Sequence, residues 1–267
     1  MDICTVNREE ILADLFSDIP NQVTKNTYDA FKSNPQKNAF NNVLAPDHSR
    51  VILKTNTDYI NANWLLNNKF VATQNPLKNT IEDFFRMCME NSVNIIVNLN
   101  NSCNYLCCLT DKLVFQNFAI TIIKHKNLGN IVIRRLAIKH KGTKSVHQLV
   151  HIHLRTWPDF GLPDKGDMKR LLKIVKKYDT DDKPIVVHCR AGLGRTGVFI
   201  TIYYSLLKQG SISIIPIIKE MRKNRDNMVQ TLEQAMFCQE FLLELNKPKV
   251  KKYDLSKGLT NFRHHVL

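Results

Sequence analysis

The stretch VHCRAGLGRTG, residues 187–197, decides the fold, and it places five residues between one cysteine, Cys189, and one arginine, Arg195. The residues before it, KPIVV, are typical of a short buried strand. The segment RTGVFITIYYSLLKQG, which starts at Arg195, favours a helix that stops at Gly210. A strand, a loop and a helix in this order predict a domain of the layered α/β class.

The loop between the predicted strand and helix has the composition of an anion-binding site. Its glycines, Gly192 and Gly194, permit the φ values with which backbone amides converge. Convergent N–H groups at a helix N-terminus bind anions, and the Arg195 guanidinium adds a two-pronged contact to two anionic oxygens. The same positive field lowers a cysteine pKa from its usual value of about 8.5. The loop therefore predicts a nucleophile, Cys189, at the bottom of a cup that binds phosphate esters.

Two other interpretations of the loop compete with this one. A Walker phosphate loop has a lysine after its glycines, which this loop lacks, and holds no cysteine inside the turn. The second alternative is a structural cysteine buried ahead of a helix, and the Cys-to-Arg spacing alone leaves it open. The segment RTWPDFGLP, residues 155–163, favours the catalytic interpretation.

Asp159 in that segment is the candidate proton donor for the leaving oxygen of a phosphate ester. The prolines and the glycine around it suit a lid that moves as a semi-rigid unit, although an aspartate in such a segment more often stabilises a turn. Farther along the chain, QTLEQ places Gln230 and Gln234 on one face of a helix N-terminus. An uncharged amide there can orient water without competing for the phosphate.

Composition narrows the class of protein and of partner. Lysine and arginine outnumber aspartate and glutamate by 38 to 24, a net charge of +14, which favours anionic partners without choosing among peptides, phosphate esters, nucleic acid and lipid. The seven cysteines are irregularly spaced, as in proteins with reduced intracellular thiols. The first residues do not resemble a signal peptide, and no apolar run approaches the roughly 18 residues of a membrane span. We therefore expect a cytoplasmic protein without a membrane span.

The remaining patterns predict one domain over residues 1–247 and a basic, solvated tail over residues 248–267. Helices are predicted at residues 7–19, 79–92, 165–178, 195–210, 212–225 and 231–246, and strands at 50–53, 59–65, 69–74, 93–99, 113–126, 130–141, 147–157 and 183–189. His147, His151 and His153 lie close together, but no further ligand follows at a usual zinc spacing, so no metal site is predicted.

Six segments in one order resemble the tyrosine-specific protein phosphatases. They are KNAFNNVLAPDHSRV, DYINANW, FVATQNPLKNTIEDFFRMCMENSVNIIVNL, RTWPDFGLP, VHCRAGLGRTG and QTLEQ, and the match runs from Lys37 to Phe241. The resemblance implies a single α/β domain in which helices flank a twisted mixed sheet, with the Cys-x5-Arg loop at its centre. It also implies metal-free, cofactor-free hydrolysis of phosphotyrosine through a phosphocysteine.

The resemblance assigns roles to particular residues. Cys189 would attack phosphorus, and Asp159 would protonate the tyrosyl oxygen and later activate water. Thr196 would assist the thiolate, and His188 would hold the loop from behind. The implied catalytic residues are Cys189, Arg195, Asp159, Thr196, Gln230 and His188. The implied substrate-binding residues are Arg190, Ala191, Gly192, Leu193, Gly194, Phe40, Asn42, Phe160, Gln234 and Arg222, with Phe40 in place of the family's wall tyrosine.

Two departures from the family pattern concern the surroundings of the lid. Arg190 replaces the commoner serine after the nucleophile, and the segment from Asn101 to Phe118 is shorter and less charged than the family loop that packs on the lid. The sequence leaves open whether Lys112 takes the place of that loop's lysine. These departures make lid closure, and hence the rate, the property in question.

Three functions remain open. The first is a phosphotyrosine hydrolase that acts as a monomer on proteins, without a stable nucleic acid partner. The second is a catalytically weak trap that binds phosphotyrosine proteins, and the third is a phosphatase for RNA 5′ phosphates or phosphoinositides. Richness in asparagine, lysine and isoleucine is typical of an A/T-rich genome, and a compact phosphatase without appended domains resembles those of insect viruses such as the bracoviruses. We accordingly expect interference with signalling in a host cell cytoplasm.

Overall fold

The protein is described by a computed structural model that covers residues 7–17, 26–55, 57–106, 112–141, 145–159, 161–208 and 213–246. The predicted basic tail, Phe160 and the expected helix stop at Gly210 lie outside these residues. The strands are β1 (Arg50–Ile52), β2 (Tyr59–Leu65), β3 (Phe70–Thr73), β4 (Ile95–Asn98), β5 (Lys112–Val114), β6 (Phe118–Leu128), β7 (Ile131–His140), β8 (Val146–Leu154) and β9 (Ile185–His188). The helices are α1 (Arg8–Phe16), α2 (Asp29–Ser33), α3 (Ile81–Glu90), α4 (Lys165–Tyr178), α5 (Gly194–Leu207), α6 (Ile214–Asn224) and α7 (Leu232–Asn246).

The strands of the described residues form one mixed sheet in the order β1-β2-β3-β9-β4-β8-β7-β6-β5. The four central strands, β3, β9, β4 and β8, are parallel, and antiparallel strands extend the sheet on both sides. In β9, Val187 pairs with Ala72 on one side and with Val97 on the other. Because the carboxyl ends of parallel strands open onto the crevice that binds ligands in α/β folds, β9 delivers Cys189 to the centre of that crevice.

Two apolar cores lie on opposite faces of the sheet, and the alternation of side chains along β9 connects them. Ile185 and Val187 belong to the core beneath helices α1 and α4–α7, whereas Val186 belongs to the core beneath α3. All four residues of β9 are buried, as expected for a central parallel strand that helices cover on both faces. The predicted α/β class with one mixed, helix-flanked sheet is confirmed.

Most predicted elements are present with small changes at their ends. Asn7 caps α1, since its side chain accepts a hydrogen bond from the Glu10 amide. The one strand predicted over residues 113–126 is wrong: the chain forms β5 and β6, because the polar pair Gln116 and Asn117 turns between them and the Phe115 amide bonds the Phe118 carbonyl. Among the described helices, none has the length and apolarity that a bilayer crossing requires.

Candidate active site

The turn between β9 and α5 wraps around the Cys189 thiol. The Gly192 amide donates to Cys189 Sγ at 3.3 Å. Gly192 has a φ of +75°, and a Cβ there would lie 2.2 Å from the Thr73 carbonyl oxygen, so only glycine fits this close approach. A Cβ on Gly194 would lie within 3.0 Å of the Gln230 and Gln234 amides. The two glycines therefore set the shape of the cup and bring the QTLEQ segment against it.

Several groups act on the Cys189 pKa in opposite directions. Burial raises it, but the Thr196 hydroxyl, the Arg195 charge and the amides of Thr196 and Gly192 outweigh burial and lower it below its ordinary value. Thr196 Oγ1 is buried and makes no other hydrogen bond of good geometry with the described residues, which leaves its hydroxyl available to the sulfur. The site thus favours the thiolate, which is the nucleophilic form.

Arg225 lies behind the loop and supports it, although no sequence motif identifies this residue. Its fully buried guanidinium donates to the carbonyl oxygens of Ala191 and Gly192 at 3.0 Å, and to Asn61 Oδ1 at 2.8 Å and Asn63 Oδ1 at 2.7 Å. Burial lowers the pKa of Arg225 to about 10. The two asparagines at alternate positions of DYINANW indicate a buried polar partner for that strand. They do not indicate which distant arginine supplies it.

Arg222 lies elsewhere than in the predicted substrate pocket. Its guanidinium donates to the carbonyl oxygens of Leu15, Met228 and Val229, and it is not among the residues that line the cavity over Cys189. The structure places it under the turn that precedes Gln230. It reaches the site only through that turn.

His188 lies behind the loop in a buried polar cluster. Its Nε2 is 2.6 Å from the Tyr105 hydroxyl, which is 3.0 Å from His151 Nε2. Burial lowers the pKa of His188 to about 3 and that of His153 to about 4, and it lowers the pKa of His151 well below its ordinary value. These imidazoles are therefore neutral at physiological pH, and they support the loop without adding charge to it.

The three neighbouring histidines, His147, His151 and His153, lie within hydrogen-bond distance of partners in the protein. His147 Nε2 lies 2.7 Å from the Val93 carbonyl oxygen, and His153 Nε2 lies 2.7 Å from the Asn100 carbonyl oxygen. In the ranges that the structure describes, no cluster of three or more histidine, cysteine, aspartate or glutamate side chains could hold a metal ion.

The lid segment bends over the front of the cup. Arg195 donates to the Trp157 carbonyl oxygen at 3.0 Å and to Asp159 Oδ1 at 2.7 Å. The buried Trp157 indole donates to the Gly161 carbonyl oxygen at 3.0 Å, which closes the lid on itself. Arg190 contacts the other carboxylate oxygen of Asp159 at 3.4 Å. The candidate acid and the phosphate-binding arginine are thus brought together by the fold.

A cavity of about 340 Å³ opens over Cys189 and collects most of the predicted site residues. Phe40 and Asn42 form part of its wall, and the Arg190 guanidinium lies 5.4 Å from the centre of the Phe40 ring. The lining residues are Phe40, Asn42, Val43, Asp159, Cys189, Arg190, Ala191, Leu193, Gly194, Arg195, Asn227, Gln230 and Gln234. Cys189, Asp159, the loop residues and Arg195 therefore face one volume, which falls in the usual size range of small-molecule sites.

A second cavity of about 460 Å³ adjoins the first on the far side of Arg190. Asn100, Asn101, Ser102 and Asn104 line it, and Asn100 Oδ1 lies 3.4 Å from the Arg195 guanidinium. Lys112 lies outside both cavities, in the exposed edge strand β5 opposite Thr121. Among the residues that the structure describes, asparagine side chains and no lysine therefore line this second cavity.

A family comparison decides what this arrangement belongs to. The protein-tyrosine phosphatase family model matches residues 34–244. The chain belongs to the protein-tyrosine phosphatase family. The chain is 36% identical over 242 residues to the rat tyrosine-protein phosphatase non-receptor type 20, with 81% of this chain and 57% of the relative covered. It is 34% identical over 245 residues to the human receptor-type tyrosine-protein phosphatase eta, with 83% of this chain and 18% of that relative covered.

A solved structure agrees with that membership. The chain superposes with a TM-score of 0.76 and 29% identity on a chain from a study of the PTPN18 fingerprint on distinct HER2 tyrosine phosphorylation sites. The match covers 83% of this chain and 88% of that one. The chain spans only about half the length of the non-receptor relatives that it matches.

Proposed function

We propose that the chain hydrolyses phosphotyrosine in proteins through a phosphocysteine. The observation that carries the proposal is the convergence of Cys189, Arg195, Asp159 and Gln230 on one cavity. The lowered pKa of Cys189 favours the thiolate, and Asp159 lines the same cavity, as a proton donor to the departing oxygen must. The phosphatase relatives support the same chemistry.

In the first step, the Cys189 thiolate forms an S–P bond as the P–O bond to the tyrosyl oxygen breaks. The Arg195 guanidinium and the loop amides from Arg190 to Arg195 hold the equatorial oxygens, where negative charge is concentrated in the transition state. Asp159, in its protonated form, transfers its proton to the tyrosyl oxygen. The products are a tyrosine side chain and an enzyme with phosphate on sulfur.

In the second step, water forms a new P–O bond as the S–P bond breaks. The Gln234 side chain accepts from the Gln230 amide at 2.9 Å, which fixes the start of α7 beside the cup. Gln230 is positioned to orient the water, and the Asp159 carboxylate takes its proton. The Thr196 hydroxyl donates to the sulfur as negative charge returns to it. Inorganic phosphate leaves, and the site is restored.

Selectivity for tyrosine follows from the depth of the cavity. Cys189 is 4% exposed at its floor, and Phe40 forms a wall that carries the Arg190 guanidinium on its ring face. A phosphorylated serine is too short for its phosphorus to reach that sulfur, whereas the tyrosyl ring spans the distance and stacks on the wall. Phe40 supplies this stacking face without a hydroxyl.

The experiment compares release of phosphate from a phosphotyrosine peptide and from the matching phosphoserine peptide, in a metal chelator, by wild type and Cys189→Ser. We expect release from the phosphotyrosine peptide alone, and its loss in the variant. Tight binding without release by wild type would favour the phosphotyrosine trap. Faster release from RNA 5′ ends or phosphoinositides than from the peptide would favour the third function. The viral origin, the host-cell cytoplasm as location and the monomeric state remain predictions from the sequence.

A further inference from the structure

Two arginines, Arg195 and Arg190, contact Trp157 and Asp159 at the tip of the lid. Arg195 is buried and holds the Trp157 carbonyl oxygen and Asp159 Oδ1. Arg190 is 64% exposed and holds Asp159 Oδ2 at 3.4 Å. Both belong to the phosphate-binding loop, so the cup itself holds its lid.

The two contacts respond differently to substrate. A phosphate in the cup needs the guanidinium of Arg195, whose nitrogen Nη2 now contacts Asp159 at 2.7 Å. The Asp159 carboxylate and the phosphate therefore compete for that arginine. Arg190 lines both cavities and contacts the other carboxylate oxygen, Asp159 Oδ2, so this contact can persist when Arg195 turns to the phosphate.

The Phe40 ring fixes the direction of the Arg190 side chain. Its guanidinium lies 5.4 Å from the ring centroid, and stacking of this kind restricts an otherwise mobile side chain. Among the described residues, no lysine lines either cavity beside Arg190: Lys112 lies in β5, and asparagines line the second cavity. A serine at position 190 would be too short to reach the carboxylate.

We propose that Arg190 is a positioning residue that keeps Asp159 over the leaving-group oxygen while Arg195 binds the phosphate. This inference rests on the proposed function. It assigns to the phosphate-binding loop of this chain the task of holding the lid from the front. The same contact helps Asp159 to return as the carboxylate that activates water in the second step.

The kinetic test uses two aryl phosphates with wild type, Arg190→Ser and Arg190→Lys. p-Nitrophenolate leaves with little need for a proton, whereas phenolate needs one. General acids contribute about 10²–10⁴-fold, so partial misplacement of Asp159 in Arg190→Ser is expected to lower kcat for phenyl phosphate about tenfold more than for p-nitrophenyl phosphate. Arg190→Lys, which keeps the charge and loses the planar stacking, should fall between. An equal loss on both substrates, or a change in KM alone, would assign Arg190 to phosphate binding and overturn the inference.

A double mutant removes the remaining ambiguity. In an Asp159→Asn background, Arg190→Ser should change the ratio of the two kcat values by less than about twofold, since the group that it positions is gone. The same tenfold change in that background would overturn the inference. Failure of wild type to hydrolyse either ester would instead refute the proposed function, and the next measurement does not depend on turnover.

Trp157 reports lid position directly, because the chain has two tryptophans and Trp64→Phe leaves only this one. Trp157 is fully buried when the lid lies over the cup. With saturating inorganic phosphate, acrylamide should quench Trp157 fluorescence at least about twice as efficiently in Trp64→Phe/Arg190→Ser as in Trp64→Phe. Equal quenching in the two proteins would show that Arg190 does not hold the lid.

Discussion

Arginine contacts hold the phosphate-binding loop on two sides, and the two sides differ in exposure. Behind the loop, Arg225 is fully buried and donates to four oxygens of Asn61, Asn63, Ala191 and Gly192. In front of it, Arg190 is 64% exposed and Asp159 is 39% exposed, with a single contact of 3.4 Å between them. Behind the loop every guanidinium nitrogen of the buried Arg225 has an acceptor, whereas the Arg190–Asp159 ion pair in front is exposed to solvent.

The difference separates stability from motion. A buried charge that loses its partners costs several kcal/mol, whereas an exposed ion pair contributes about 0–1 kcal/mol because water and salt screen it. The back of the loop therefore keeps the shape of the cup. The front can open and close at little cost, as a lid that admits substrate must.

Arg225→Met tests the contribution of the back of the loop to stability. The substitution leaves two carbonyl and two amide oxygens behind the loop without their donor. We expect the free energy of unfolding, measured by urea denaturation, to fall by several kcal/mol, because each buried oxygen left without a donor costs about 1–3 kcal/mol. Arg190→Met is the matched control on the exposed side, and it should change that free energy by less than about 1 kcal/mol. Equal losses in the two variants would show that the front and back of the loop are not different in kind.

Asp159→Ala tests the contact between Asp159 and Arg195 in front of the loop. We expect kcat on a phosphotyrosine peptide to fall on the order of 10²-fold because the acid is lost, with little change in the urea midpoint. Inorganic phosphate should bind more tightly, since no carboxylate competes for Arg195. Measured by competitive inhibition, weaker phosphate binding in the variant would contradict the arrangement of Asp159 and Arg195.

Lowering the pH tests whether the histidines behind the loop are buried in their neutral form. The pKa values of His188, His153 and His151 are lowered in the folded state, so the unfolded chain takes up their protons first. Their contribution to stability is complete above about pH 6.5, the unfolded value, and is lost as the pH falls toward about 4 and then 3. The slope reaches about 1.4 kcal/mol per pH unit for each histidine. Carboxylates titrate lower, so a stability that stayed constant between pH 6.5 and 5 would contradict the buried, neutral cluster.

The sequence predicts the front of the site better than the back. Short motifs, each with recognisable local chemistry and in a recognisable order along the chain, contain the four residues Cys189, Arg195, Asp159 and Gln230. The structure places all four around one cavity. Arg225 could not be found in this way, because its partners Asn61 and Asn63 lie more than 160 residues away and only the folded sheet brings them together. The family resemblance assigns Arg222, three positions earlier, to the substrate pocket, whereas its guanidinium donates to the carbonyl oxygens of Leu15, Met228 and Val229.

The same limit explains the fold-level differences. Apolar alternation over residues 113–126 predicts a strand, but it does not show that Gln116 and Asn117 turn the chain back. The position of Lys112 depends on how the shortened segment after Asn100 returns to the sheet, which is a matter of tertiary packing. Patterns within one element were predictable, whereas partners and directions between elements were not.

The central claim is that Cys189 carries the phosphoryl group during turnover. The most direct test is a rapid acid quench, on the millisecond timescale, of enzyme mixed with a ³²P-phosphotyrosine peptide, followed by peptide mapping, for wild type and for Gln230→Ala. We expect label on the peptide that contains Cys189, at a higher level in Gln230→Ala because hydrolysis of the phosphocysteine is slowed. Turnover by both proteins without label at Cys189, or with label on another residue, would contradict it.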